Sequence, residues 1–198
     1  MRHRLFLMVL GSLLVSSSAL SQTPAQTPPA ADEPKEGFRA EFLADLKGLE
    51  DKIMKLVEAT PPEKTAWRPG PDVRSFSEVF LHIATTNYTF PRMVGVAVPA
   101  GTDLRGMQSS TTEKSKIAEV VRASFAHARL GVIGLTDADM DKTAQGSNWT
   151  RRRALIFQLR HASEHMGQLI AYMRVNGITP PWTEEAQQRQ RQQPAKQD

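Results

Sequence analysis

Three histidines in this sequence have the residue type and spacing for metal chemistry: His82, His161 and His165. His161 and His165 stand four residues apart in a stretch of helical periodicity, so they point only about 40° apart, one turn above the other. That spacing lets two imidazoles reach one ion. On the same stretch Leu155, Leu159, Ala162, Met166, Leu169 and Met173 form an apolar arc. The histidines lie at its edge, beside Gln158, Gln168 and Tyr172. His82 repeats this placement on an earlier helical stretch, where Phe76, Val79, Ile83, Phe90 and Val94 form the arc. Glu78 precedes His82 by one turn and Thr86 follows it by one turn. If the two helices pack side by side, the three imidazoles converge. Three His ligands plus a water form an open, catalytic-type zinc arrangement. Imidazole also suits nickel and iron, so the expected cofactor is a divalent metal: zinc, nickel or iron. The same spacing also suits histidines that only hydrogen-bond at a core margin.

Around these ligands, Glu78 and Glu164 are candidates for a general base or for a carboxylate that orients an imidazole N–H. Their alternative is a solvent-facing helix charge. Thr86, Gln158, Gln168 and Tyr172 are the expected pocket-lining residues. His127, on another helical stretch, reads as a surface or boundary residue. His161-Ala162-Ser163-Glu164-His165 also matches the inverted zinc-peptidase pattern H-x-x-E-H. That chemistry needs a distant downstream Glu ligand, and only Glu184 and Glu185, in a polar tail, follow.

Composition narrows the classes. The chain has 198 residues, 40% hydrophobic and 23% charged, which excludes collagen-like, wholly disordered and polytopic membrane proteins. The absence of cysteine excludes disulfides, thiolate zinc sites, iron–sulfur clusters and a cysteine nucleophile. The formal charge of +4 falls to +2 once Arg2 and Arg4 are set aside, so no nucleic-acid footprint is left. The one basic cluster, Arg151-Arg152-Arg153, sits at an expected helix N-terminus, where positive charge is unfavourable. It reads as a site for an anionic partner or as a solvated face with its own charge pairing.

Residues 1–21 predict a secretory signal peptide: a basic start, an apolar run from Leu5 to Val15 and small residues before Gln22. The expected location is periplasmic or secreted, with no stable membrane anchor after cleavage. Residues 22–37 read as a Pro/Ala-rich disordered spacer and residues 183–198 as a disordered polar tail. The domain is expected over residues 38–182.

Within it four amphipathic helices are predicted. The first covers Phe38 to Thr60 and stops at Pro61-Pro62. The second is capped by Ser75 with Glu78 in a capping box, runs to about Gly95, and should be kinked or shortened by Pro91. The third opens on a capping box at Ser110 to Glu113 and closes at Gly134. The fourth is capped by Thr150 and stops at Gly177 after Asn176. The fold class is therefore all-α, a four-helix bundle, with residues 61–74 and 96–110 long enough to hold crossover connections.

The run from His161 through His165-Met166-Gly167-Gln168-Leu169, continuing Tyr172-Met173-Arg174 and ending Gly177-Ile178-Thr179-Pro180-Pro181, resembles the DinB family and its YfiT-type metal-dependent hydrolases. The shorter run Glu78-Val79-Phe80-Leu81-His82-Ile83-Ala84 matches as well. The resemblance implies a DinB-like four-helix bundle with a crossed-over connection. It also implies a metal held by His82, His161 and His165. Relatives include S-transferases that use mycothiol or bacillithiol, and maleylpyruvate isomerase. The implied function is a metal-dependent hydrolase or transferase on an unknown small molecule. The alternative is a non-catalytic periplasmic metal-binding or stress-related protein. A homodimer is compatible with either.

Overall fold

The computed structural model describes residues 33–192, and the signal-peptide reading and most of the spacer lie outside them. Helix α1 covers Gly37–Ala59, α2 Phe76–Met93, α3 Lys114–Ile133, α4 Arg151–Val175 and α5 Pro181–Gln192. Single 3-10 turns occupy Pro62–Lys64, Met107–Ser109 and Asp137–Asp139. The described residues form no strand beyond an isolated bridge between Thr143 and Thr150. No described helix is long and apolar enough to cross a membrane.

The apolar arcs meet as expected. Phe42, Leu46 and Ile53 of α1, Phe76, Phe80 and Ile83 of α2, Ile117 and Phe125 of α3, and Leu155 and Leu169 of α4 are all buried in one core. The four helices form a bundle in which α1 packs on α3 and α4, and α2 packs on α3 and α4. Helices consecutive in sequence, α1 with α2 and α3 with α4, thus occupy diagonal corners. The crossing connections are the segments before α2 and before α4. Residues 96–110, long enough to hold a crossover, join two adjacent helices, α2 and α3. Segment length alone cannot distinguish a diagonal crossing from a long excursion between neighbours.

The caps show how local chemistry places the ends. Ser75 Oγ accepts the Glu78 N–H at 3.3 Å, and the Glu78 carboxylate accepts the Ser75 N–H at 2.7 Å, completing the expected box. Pro91 lies inside α2, which ends two residues later at Met93. Thr150 caps α4 by accepting from the Arg153 N–H, and Gly177 takes a left-handed φ of 72° beyond the C-cap Asn176. The expected box at Ser110 does not form. The Ser110 hydroxyl closes the preceding 3-10 turn on the Met107 carbonyl, and α3 starts at Lys114 with Glu113 as its N-cap. Hydroxyl side chains in a turn compete for backbone groups that a cap would otherwise use.

Residues 183–192, expected as part of a disordered polar tail over 183–198, are helical. This exposed helix is tied to α1 by an ion pair between Lys55 and Glu185 at 2.7 Å. A helix whose packing on the core begins and ends with Trp182 leaves no apolar periodicity to read.

His127, expected near the surface, is buried and 6% exposed. Its ring packs 4.8 Å from Tyr88, and its Nε2 has no hydrogen-bond partner among the described residues. Burial lowers its pKa from the ordinary value. Below an ordinary pH of about 6.5 the unfolded chain therefore takes up this proton more readily than the native one. Stability is lost as pH falls from that value through the folded-state pKa. The expected outcome is a shallower acid-side loss in His127→Leu than in the wild type. Urea unfolding at several pH values checks it, and parallel curves for the two chains would contradict it.

Candidate metal centre

The contact between α2 and α4 brings the three histidines together. His82 Nε2 lies 3.2 Å from His161 Nε2, and His165 Nε2 lies 3.2 Å from the same atom. The three rings meet at centroid separations of 4.5 to 4.9 Å. Nitrogens bound tetrahedrally to zinc at about 2.0–2.1 Å stand roughly 3.3 Å apart, so this spacing matches three ligands of one ion. Among the described residues this is the cluster whose donor atoms, all within 4.8 Å of one another, suit a metal.

A metal-ligating imidazole must be neutral, with its lone pair directed at the ion. Burial first, then the positive charges of Arg74 and the other two histidines, pulls His82 down to a pKa of about 4. Burial and the charge of His165 lower His161 as well. Both are therefore neutral at pH 7. His165 is oriented by a relay. The Arg74 carbonyl can only accept, so the Tyr172 hydroxyl donates to it, at 3.0 Å. The Gln168 amide Nε2 donates in turn to the Tyr172 oxygen at 2.7 Å. Gln168 Oε1 therefore faces His165 Nδ1, at 2.9 Å, and accepts its proton. The lone pair of His165 is left on Nε2, the atom that joins the cluster. The Nδ1 atoms of His82 and His161 are buried without partners among the described residues.

The relay is braced by the connection between α1 and α2. Trp67, Phe76 and Tyr172 pack edge-to-face or tilted at 5.4 to 5.8 Å. The Phe76 N–H donates to the Trp67 carbonyl and the Ser77 N–H to the Thr65 carbonyl. That anchoring holds Arg74 beside the triad, with its Nε donating to Gln108 Oε1 at 3.1 Å. Arg68, Arg74, Glu78 and Gln108 line a polar cleft of about 320 Å³.

The other expected residues fall in different places. Gln168 and Tyr172 form the relay. Glu78 has both carboxylate oxygens engaged, one by the Ser75 N–H and one by Arg68 at 3.0 Å, which lowers its pKa. Its observed contacts are those of a helix cap. Glu164 is exposed and sits 3.5 Å from Arg160, yet its charge is felt by His161. Gln158 is buried and donates to Asn87, which donates to Ser124, a polar chain inside the core. The hydroxyl of Thr86 turns back to the Ile83 carbonyl at 2.8 Å. Arg74 and Gln108 carry no signal in the sequence. They stand in irregular connections, where no periodicity points a side chain at a site.

The basic cluster is largely paired. Arg151 meets Asp139 at 3.6 Å and Arg152 meets Asp141 at 3.5 Å, both acids coming from the connection before α4. Asp139 also accepts from Thr136 and Lys142, contacts that hold its carboxyl well below the usual range.

A family model described as the DinB superfamily matches residues 45–169, a span that contains all three histidines. The fold is similar to the crystal structure of a DinB-like protein from Bacillus cereus ATCC 10987 at 2.01 Å resolution. The two chains are 20% identical with a TM-score of 0.61, over 71% of this chain and 93% of that one. At that identity the likeness shows the fold alone. No curated protein matches this chain.

Proposed function

This chain belongs to the DinB superfamily, and from that premise we propose that it is a metal-dependent hydrolase or transferase for a small molecule. The observation that carries the reading is the meeting of three imidazole Nε2 atoms, those of His82 and His165 each 3.2 Å from that of His161, with His165 held in a ligating tautomer by Gln168. His82, His161 and His165 would hold one zinc, nickel or iron ion. When bound, such an ion polarises a substrate oxygen and lowers the pKa of a coordinated water or thiol. Three protein ligands leave room for a substrate atom. Arg74 supplies a positive charge beside the triad, suited to an anionic substrate group or to negative charge that develops during reaction. The Tyr172–Gln168 relay keeps the His165 proton on Nδ1. Glu164 is the nearby carboxylate not used as a cap and is the candidate proton acceptor. The basic, apolar and small-residue order of residues 1–21 supports export to the periplasm or medium.

The test is turnover by the full chain loaded with zinc, nickel or iron. Substrates would be aryl esters, phosphoesters, amides and thiol-transfer pairs. Activity is expected with one class, abolished by chelation and reduced on the order of 10²-fold in kcat/KM by Arg74→Gln. Tight metal binding with no turnover of any class would overturn the enzymatic reading in favour of a binding role.

A further inference from the structure

Phe157 stands one turn before His161 on α4, and the two rings stack at 6.3 Å with 28° between their planes. Phe157 also meets Trp149 at 5.1 Å and a tilt of 44°. These two rings, with Arg153, Ile156 and Arg160, wall an open groove of about 370 Å³, within the size range of small-ligand sites. Ile156 is 51% exposed on it. Arg153 lies over the Trp149 ring at 5.1 Å and Arg160 over the Phe157 ring at 4.5 Å.

The charge of this groove is unbalanced. Arg151 and Arg152 have acidic partners, whereas Arg153 has no carboxylate within 4.0 Å among the described residues. It stands in the first turn of α4, where the helix dipole already disfavours a cation. Arg160 has only the exposed Glu164, at 3.5 Å. Two guanidiniums and one carboxylate leave an excess of one positive charge beside an aromatic and aliphatic surface.

We propose that this groove is the substrate subsite and that it takes small aromatic monocarboxylates. The ligand ring lies against Ile156 and the edges of Trp149 and Phe157, whose faces the guanidiniums cover, its carboxylate pairs with Arg153, and its opposite edge points along α4 toward His161. Its role in turnover rests on the metal-dependent reading given above; its binding does not.

Ligand-observed NMR titration of the full chain tests it, metal-free and zinc-treated, with naphthoate and the neutral naphthalenemethanol as probes. Naphthoate should bind saturably in both forms and about tenfold more tightly than the alcohol, the value of a charge-assisted contact of about 1.5 kcal/mol. Arg153→Gln, an exposed change, should weaken naphthoate about tenfold and leave the alcohol nearly unchanged. Phe157→Ala should weaken both. Absence of saturable binding, or naphthoate binding indifferent to Arg153→Gln, overturns the proposal. The two readings fail separately. Naphthoate binding without zinc uptake would sink the metal centre and leave the groove, and zinc uptake without naphthoate binding would do the reverse.

Discussion

His161→Ala is expected to retain less than about a tenth of the zinc held by the wild-type chain after loading with one equivalent and desalting, read by elemental analysis. His161 Nε2 is the shared neighbour of the other two ligating nitrogens, at 3.2 Å from each. Its removal leaves one donor on each of two helices. Loss of a direct ligand should exceed the roughly 10- to 100-fold affinity loss that follows removal of a group merely supporting one. The metal-free variant should still fold, because the truncated ring carries a buried Nδ1 without a partner, and the His82 and His165 Nε2 atoms that lose their neighbour belong to half-buried residues that water can reach. Zinc should raise the unfolding temperature of the wild type, since an ion that binds only the native state stabilises it by mass action, and should leave that of the variant unchanged. A variant that keeps a full equivalent of zinc would remove the triad as the metal centre.

The second large effect concerns a residue that touches no metal. Gln168→Leu deletes the acceptor that holds the proton on His165 Nδ1. The ring is then free to change tautomer and to turn, and zinc affinity should fall about 10- to 100-fold in competition with a chromophoric chelator. Gln168→Glu keeps an acceptor at that position and adds negative charge, so it should hold zinc at least as tightly as the wild type. It loses the amide donor to Tyr172, whose hydroxyl remains bonded to the Arg74 carbonyl. Gln168 as mere packing would make Leu harmless, and opposite effects of Leu and Glu separate the two roles. Equal zinc affinity in all three chains would refute the relay.

Much of this was legible along the chain because helices carry their own periodicity. The arcs of Phe42, Leu46 and Ile53, of Phe76, Phe80 and Ile83, and of Leu155 and Leu169 identify the buried faces, and the structure buries them. Ser75 with Glu78, Thr150 and Gly177 mark helix ends through hydrogen bonds made within a few residues. His161 and His165 share a helix face by spacing alone. Where several hydroxyls compete locally, as at Ser110 to Glu113, the expected box did not form, and Glu113 is the N-cap without a side-chain bond. Where a polar helix has no apolar stripe, as beyond Trp182, periodicity had nothing to report.

By itself, then, the sequence determined an all-helical domain and a histidine pair on one face of its fourth helix, since both follow from contacts within one or two turns. Tertiary structure alone decided that α2 packs beside α4, which brings His82 to that pair. It also decided that Glu78 is spent on a cap and Arg68, that Arg74 comes near enough for its charge to lower the His82 pKa, and that His127 is buried. These outcomes depend on how diagonal crossings fold back over the bundle. The contacts involved join residues far apart in the chain, where no local propensity distinguishes one partner from another.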